Sequence, residues 1–289
     1  MRELKPVKSP LTTTRCGNAE LRWGERTYVM GICNLSPDSF SGDGLGSDIE
    51  ATVEQVRRFI AEGADIIDVG GESTRPSKEP ASIDDIDAEL KLVIPVIERL
   101  ASEIPVPISI DTYKSGVASR ALKAGATMIN DIWGLKRDPM LADLIAEADV
   151  PIILMSNQRD APCQDIIPEI ISDLKRSISL AMKAGVPEQN IIIDPGIGFG
   201  KSLEQNLEII HRLAELKSLG RPILLGSSRK SMIGLVLDLP IDQRLEGTAA
   251  TVAIGIANGA DIVRVHDIRE MVRVCRMSDA IIRRRTTSD

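Results

Sequence analysis

The chain has 289 residues, 43% hydrophobic, 27% charged and 2% aromatic, which excludes a disordered, collagen-like or low-complexity protein. Its net charge of −7 argues against general nucleic-acid binding, which needs a basic face, but leaves room for a small anion held by a local cluster of cations. No apolar run approaches the roughly 18 residues of a membrane span, no secretory apolar stretch opens the chain, and Cys16, Cys33, Cys163 and Cys275 form no C-x-x-C pair, so a protein of the reducing cytoplasm is expected.

The first 26 residues stand outside the pattern that follows. Within them Leu21–Glu25, with Gly24 at a turn, reads as a hairpin closing one end of the fold. From Thr27 onward short apolar runs alternate with longer amphipathic stretches. The runs are 27–33, 65–69, 107–110, 127–129, 151–155, 190–193, 222–225 and 261–265, rich in Val and Ile as parallel strands buried on both faces require. Helices are expected over 49–62, 83–102, 115–124, 139–148, 165–184, 203–219, 245–258 and 268–284. Gly63, Gly125, Gly185 and Gly259 follow four of these helices, where a left-handed cap belongs. Eight evenly spaced strand–helix units with no break in composition predict one (β/α)8 barrel over residues 27–289, in preference to a doubly wound open sheet.

In such a barrel, function sits in the loops after the C-terminal ends of the strands. Those ends carry Asn34, then Asp68 and Glu72, Asp111, Asn130 and Asp131, Ser156 and Asn157, Asp194, Ser228 to Lys230, and finally Arg264 and His266. Asp138 and Asp267 start helices and read as caps. Asp68, between Ile67 and Val69, fits a buried structural hydrogen bond as well as it fits catalysis. His211, within a helix, reads as structural; His266, two residues from an inward arginine, reads as an anion ligand. Gly196, Gly198 and Gly200 precede Lys201-Ser202, but Pro195 stands where a phosphate loop needs glycine, so the segment reads as a tight turn. The long glycine-bearing loops 34–47 and 70–80 read as lids. Four of the seven aromatic residues, Phe40, Tyr113, Trp133 and Phe199, follow strands at this same end, where they would pack against a flat ligand.

Seven segments, in order, resemble dihydropteroate synthases: 30–41 (MGICNLSPDSFS), 68–76 (DVGGESTRP), 109–112 (SIDT), 129–131 (IND), 194–199 (DPGIGF), 226–231 (GSSRKS) and 264–267 (RVHD). The resemblance covers nearly the whole chain and implies a pterin-binding (β/α)8 barrel. It implies a cytoplasmic, homodimeric, magnesium-dependent transferase of folate biosynthesis, of the class targeted by sulfonamides. Its substrates would be 6-hydroxymethyl-7,8-dihydropterin diphosphate and p-aminobenzoate, with no nucleic acid or membrane as partner. By the same resemblance, Asp111, Asn130, Asp194, Lys230 and Met155 would bind pterin. Asn34, Arg264 and His266 would bind diphosphate, with Asn34 also on Mg²⁺. Thr74, Arg75, Pro76, Phe199, Ser231 and Phe40 would form the p-aminobenzoate pocket and lid. Lys230, Arg264, His266 and Asp111 would be catalytic, with Arg264 and a protonated His266 stabilising the leaving diphosphate. Three stretches depart from the common pattern: S-G-D-G in the first loop, R-P-S in the second, and Ser156-Asn157-Gln158-Arg159 after the fifth strand. A pterin-binding paralogue with altered catalysis is the alternative reading, followed by a pterin-dependent methyltransferase module.

Overall fold

The computed structural model describes residues 12–36, 48–72, 82–159 and 165–284. An antiparallel hairpin, β1 (Thr13–Cys16) and β2 (Ala19–Arg22), comes first. Eight parallel strands follow: β3 (Tyr28–Asn34), β4 (Ile66–Gly70), β5 (Ile108–Asp111), β6 (Met128–Asp131), β7 (Ile152–Met155), β8 (Ile191–Asp194), β9 (Leu224–Leu225) and β10 (Ile262–Val265). Their spatial order is β8-β7-β6-β5-β4-β3-β10-β9, and a parallel bridge from Ile193 to Ile223 closes the ring. The helices α1 (Ile49–Glu62), α2 (Asp87–Ala101), α3 (Ser115–Ala124), α4 (Met140–Ala148), α5 (Ile166–Ala184), α6 (Leu203–His211), α7 (Ser231–Leu237), α8 (Leu245–Ala257) and α9 (Ile268–Ile282) lie among and after these strands in the chain. The expected (β/α)8 barrel is the observed architecture.

The helices form for local reasons that the sequence carries. In α1, Asp48 accepts from the backbone N–H of Ala51, and Val53, Val56 and Phe59 make the buried stripe. Gly63 then adopts φ +105°, which a side chain would resist, and its N–H returns to the last turn.

Inward and outward residues alternate along each strand, so the barrel interior is built in layers. Ile66, Met128, Ile192 and Ile262, on β4, β6, β8 and β10, form an apolar floor together with Met30, Ile153 and Leu224. Two residues further along the same four strands stand Asp68, Asn130, Asp194 and Arg264. The interior therefore changes from hydrocarbon to charge within one pleat, and that step sets the floor of the site. Tyr28, Cys16 and Leu21 join the apolar floor from below. Cys16 donates to the carbonyl of Thr127, and Thr14 to that of Gln189, which fixes the hairpin on the N-terminal end of the barrel.

Four expectations need correction. The hairpin turns at Gly17-Asn18 between β1 and β2, while Gly24 lies in the turn that leads to β3. The helix expected from residue 83 begins at Asp87, because Ser82 to Asp85 form a turn closed by the Ser82 carbonyl and hydroxyl. The stretch 203–219 is not one helix: α6 ends at His211, and Leu213–Leu219 is a 3₁₀ helix whose leucines at 213, 216 and 219 match its threefold period. A ninth helix among the described residues, α7, follows Lys230, in a stretch to which the sequence reading assigned no element.

Candidate active site

A cavity opens at the C-terminal mouth of the barrel. Ile32, Ile132, Met155, Ile197 and Phe199 give it an apolar wall, and Asn34, Glu72, Asp111, Asn130, Asp194, Ser228, Lys230, Arg264 and His266 give it polar groups. Nine of the residues expected at the site thus meet in one place: Asn34, Asp111, Asn130, Met155, Asp194, Phe199, Lys230, Arg264 and His266. Ser231 opens α7 and is exposed, outside the lining. Phe40, Thr74, Arg75 and Pro76, and with them most of both expected lids, lie outside the described residues.

Arg264 organises the polar floor. Its Nε donates to Asp68 Oδ2 at 2.6 Å and its Nη2 to Asp111 Oδ2 at 2.9 Å. Asn130 Nδ2 donates to the same Asp68 oxygen at 3.0 Å. Four strands are tied together by one guanidinium and one carboxylate.

Burial dominates the titration of these groups. It raises the Asp111 carboxyl to about 7, against the pull of Arg264 and with a push from Asp68. It raises Asp194 to about 6, although the Gly196 N–H donates to that carboxylate at 2.7 Å. Lys230 is lowered to about 8 by burial and then by Arg264. His266 is lowered to about 3, first by burial and then by Arg229, Arg264 and Lys230. The imidazole is therefore neutral in the free protein, not the imidazolium that the sequence suggested. Its Nδ1 lies 2.9 Å from Ser228 Oγ, which leaves Nε2 for a ligand.

The segment after β8 is a tight turn, as its glycines indicated. Gly200 has φ +69°, and a Cβ there would stand 2.4 Å from the backbone of Gln158 and Arg159. This close approach presses the β8 turn onto the segment after β7. Ser156 donates to Asp173, Gln158 donates to Ser156, and Asn157 donates to the carbonyl of Ile132, so the departing segment Ser156–Arg159 is knitted into the wall. Phe199 carries cations on its ring, Lys230 Nζ at 4.5 Å and Arg159 Cζ at 4.8 Å from the centroid. With Tyr113, Ile132, Trp133 and Met155 it forms a cluster separate from the main core.

Asp138 is not the cap residue of α4, which is Pro139, but its carboxylate accepts from the N–H groups of Ser115 at the start of α3 and of Met140 at the start of α4. Asp267 does not: its side chain makes no cap bond and instead pairs with Arg229 at 2.5 Å. Arg229 has φ +56°, a strained position held by that ion pair and by hydrogen bonds to Thr248 and Arg244. One buried group escaped the sequence reading. Lys114 is almost fully enclosed, paired with Glu72 at 2.7 Å and Glu89 at 2.9 Å beside the cavity. A lone lysine before a helix gave no signal for this, because its partners come from distant elements.

Fold and cavity together define a barrel enzyme acting on a small molecule with both flat polar and anionic parts, and a family model described as pterin binding enzyme matches residues 30–266. A dihydropteroate synthase of Clostridium beijerinckii is 51% identical over 93% of this chain and 100% of its own length. One of Bacillus subtilis is 50% identical over 91% of each. The chain belongs to the dihydropteroate synthase family. Among solved structures, a dihydropteroate synthase of Clostridium difficile in the presence of pteroic acid superposes with a TM-score of 0.85 at 50% identity, covering 90% of this chain and 98% of that one. One of Xanthomonas albilineans with 4-aminobenzoic acid gives 0.86 at 39% identity, covering 93% and 98%.

Proposed function

We infer that the protein is a dihydropteroate synthase, a transferase of folate biosynthesis that joins 6-hydroxymethyl-7,8-dihydropterin diphosphate to p-aminobenzoate. One observation carries the reading: a single cavity sets the carboxylates and amide of Asp111, Asn130 and Asp194 against the cations of Lys230 and Arg264. The first set suits the N–H-rich edge of a pterin, the second an anion. Relatives solved with pteroic acid and with 4-aminobenzoic acid support both substrates.

Asp111, Asn130, Asp194, Lys230 and Met155 take the pterin. Asn34, Arg264 and His266 take the diphosphate, with Nε2 of the neutral His266 as the available ring nitrogen. Phe199 and Ser231, with Phe40, Thr74, Arg75 and Pro76, make the p-aminobenzoate side and its lid. The bond from the pterin methylene carbon to the diphosphate oxygen breaks, and its electron pair leaves with diphosphate. Arg264 and His266 stabilise the charge gathering there. The arylamine nitrogen then bonds to the methylene carbon and loses a proton to solvent. Asp111 and Lys230 hold the ring as the cation forms. No protein nucleophile is required.

Among the described residues no three His, Cys, Asp or Glu side chains are grouped to hold a metal. Mg²⁺ would be held by the amide oxygen of Asn34 in the cavity wall, with substrate phosphate oxygens and waters as its other ligands. Held there, the ion would supply charge neutralisation for the leaving diphosphate, beside Arg264 and His266.

The active unit is a homodimer. Exposed apolar side chains gather on consecutive helices: Leu235 to Leu237 on α7, Ile254 on α8, and Met277 and Ile281 on α9. Residues 27–289 act as one pterin-binding unit with 1–26 as its extension. The site of action is the cytoplasm. The described thiols Cys16, Cys33 and Cys275 are free and buried, and no described helix is long and apolar enough to cross a membrane. A continuous diphosphate-release assay tests the transferase reading. Release should need pterin diphosphate and Mg²⁺, be accelerated by p-aminobenzoate and be matched by the 7,8-dihydropteroate formed. Release that p-aminobenzoate neither accelerates nor couples to that product would mean hydrolysis and would refute it.

A further inference from the structure

We propose that Asp68 is a positioning residue for the pterin subsite, because one of its oxygens holds Arg264 and Asn130 together and so decides which atoms these two side chains turn to the ligand. The inference rests on the pterin-binding reading above.

Asp68 belongs to the polar layer but, unlike Asn130, Asp194 and Arg264, it does not line the cavity, and its side chain is wholly buried beneath it. Oδ2 accepts from Arg264 Nε at 2.6 Å and from Asn130 Nδ2 at 3.0 Å. Oδ1 makes no hydrogen bond among the described residues. Two other buried carboxylates serve the backbone: Asp131 accepts from the N–H groups of Trp133 and Leu135, and Asp279 from that of Thr27. Asp68 accepts from no backbone N–H among the described residues. A charged group placed inside a barrel at the expense of its hydration, and bonded only to two ligand-facing side chains, orders the site and not the chain.

The consequence for chemistry is specific. An amide side chain has one accepting and one donating end. With Nδ2 of Asn130 given to Asp68, its oxygen is the end left for the cavity. Asn130 then joins Asp111 and Asp194 as an acceptor, and the subsite demands a ring edge that presents N–H donors. Arg264, with Nε and Nη2 committed, keeps its Nη1 end for the ligand.

The test uses the full chain and 6-hydroxymethylpterin as probe. In Asp68→Asn the charge facing Arg264 is lost and the Asn130 amide is free to turn over. The Kd for 6-hydroxymethylpterin should rise by about 10-fold or more, as displacements of positioned groups do. The KM for p-aminobenzoate should stay within about 2-fold, because its pocket lies elsewhere in the cavity. A variant with a lower melting temperature but an unchanged Kd would overturn the proposal and leave Asp68 structural. If the variant does not fold, the wild-type chain with ¹⁵N-asparagine decides. The Asn130 Nδ2 resonances should move little when 6-hydroxymethylpterin is added, whereas a large shift would place that nitrogen on the ligand and overturn the proposal. Failure of the wild type to bind 6-hydroxymethylpterin would remove the pterin reading and this inference together. Equal binding by wild type and variant removes this inference alone.

Discussion

Arg264 donates to the Asp111 carboxylate at 2.9 Å, so a group assigned to diphosphate and a group assigned to pterin are bonded to each other in the same cavity. Recognition of the two halves of the substrate is therefore coupled through this bond. Arg264→Ala leaves Asp111 and the buried Asp68 without their shared cation, and should weaken pterin diphosphate binding by about 2 kcal/mol or more. Asp111→Asn should weaken pterin binding by itself. The double variant should be non-additive, with a coupling of about 0.5–3 kcal/mol in a calorimetric double-mutant cycle. Additivity would show that the bond plays no part in recognition.

Binding should follow a bell in pH. The Asp194 carboxyl is raised to about 6 and that of Asp111 to about 7, so below these values both are protonated, accept more weakly and present an O–H donor to the N–H groups of a pterin edge. Affinity should therefore rise as pH climbs through 6 to 7. Lys230, lowered to about 8, loses its charge above that value, and affinity should fall again. Titration calorimetry of 6-hydroxymethylpterin across this range reads the profile directly; a flat profile would contradict these assignments.

Gly200→Ala should damage the site more than an equally strained substitution elsewhere. Gly200 (φ +69°) has the backbone of Gln158 and Arg159 2.4 Å from a Cβ position, whereas Gly220 (φ +64°) has nothing within 4 Å. Gly220→Ala should cost only the left-handed penalty of about 1–2 kcal/mol. Gly200→Ala should cost more in thermal unfolding and should also lower transferase activity, since it pushes the Phe199 turn off the segment after β7.

The barrel was legible because its causes are local. Val- and Ile-rich runs mark strands, and the period-two step from Ile66 to Asp68, or from Ile262 to Arg264, marks where hydrocarbon gives way to function. Asp111, Asn130, Asp194 and Arg264 were found because they end strands. What escaped has long-range causes. Asp267 reads as a cap until Arg229, strained at φ +56°, is seen to claim it. Lys114 needs Glu72 and Glu89 from other elements. His266 carries a motif but not its protonation state, which burial and three neighbouring cations set. The short α7 was invisible because its exposed apolar residues break the amphipathic pattern used to find helices.

Chelation separates the metal's place from that of the chain. Since the described residues offer no cluster of charged ligands, EDTA should leave the melting temperature of the free protein unchanged. It should abolish transfer, and Mg²⁺ should restore it. A melting temperature that drops on chelation would indicate a resident structural metal.

The central claim is transfer between two substrates in one cavity. Purified protein with Mg²⁺, pterin diphosphate and isotopically labelled p-aminobenzoate should yield labelled 7,8-dihydropteroate together with an equal amount of diphosphate. Tight binding of pterin diphosphate with no labelled product would contradict the claim and leave a pterin-binding barrel without synthase activity.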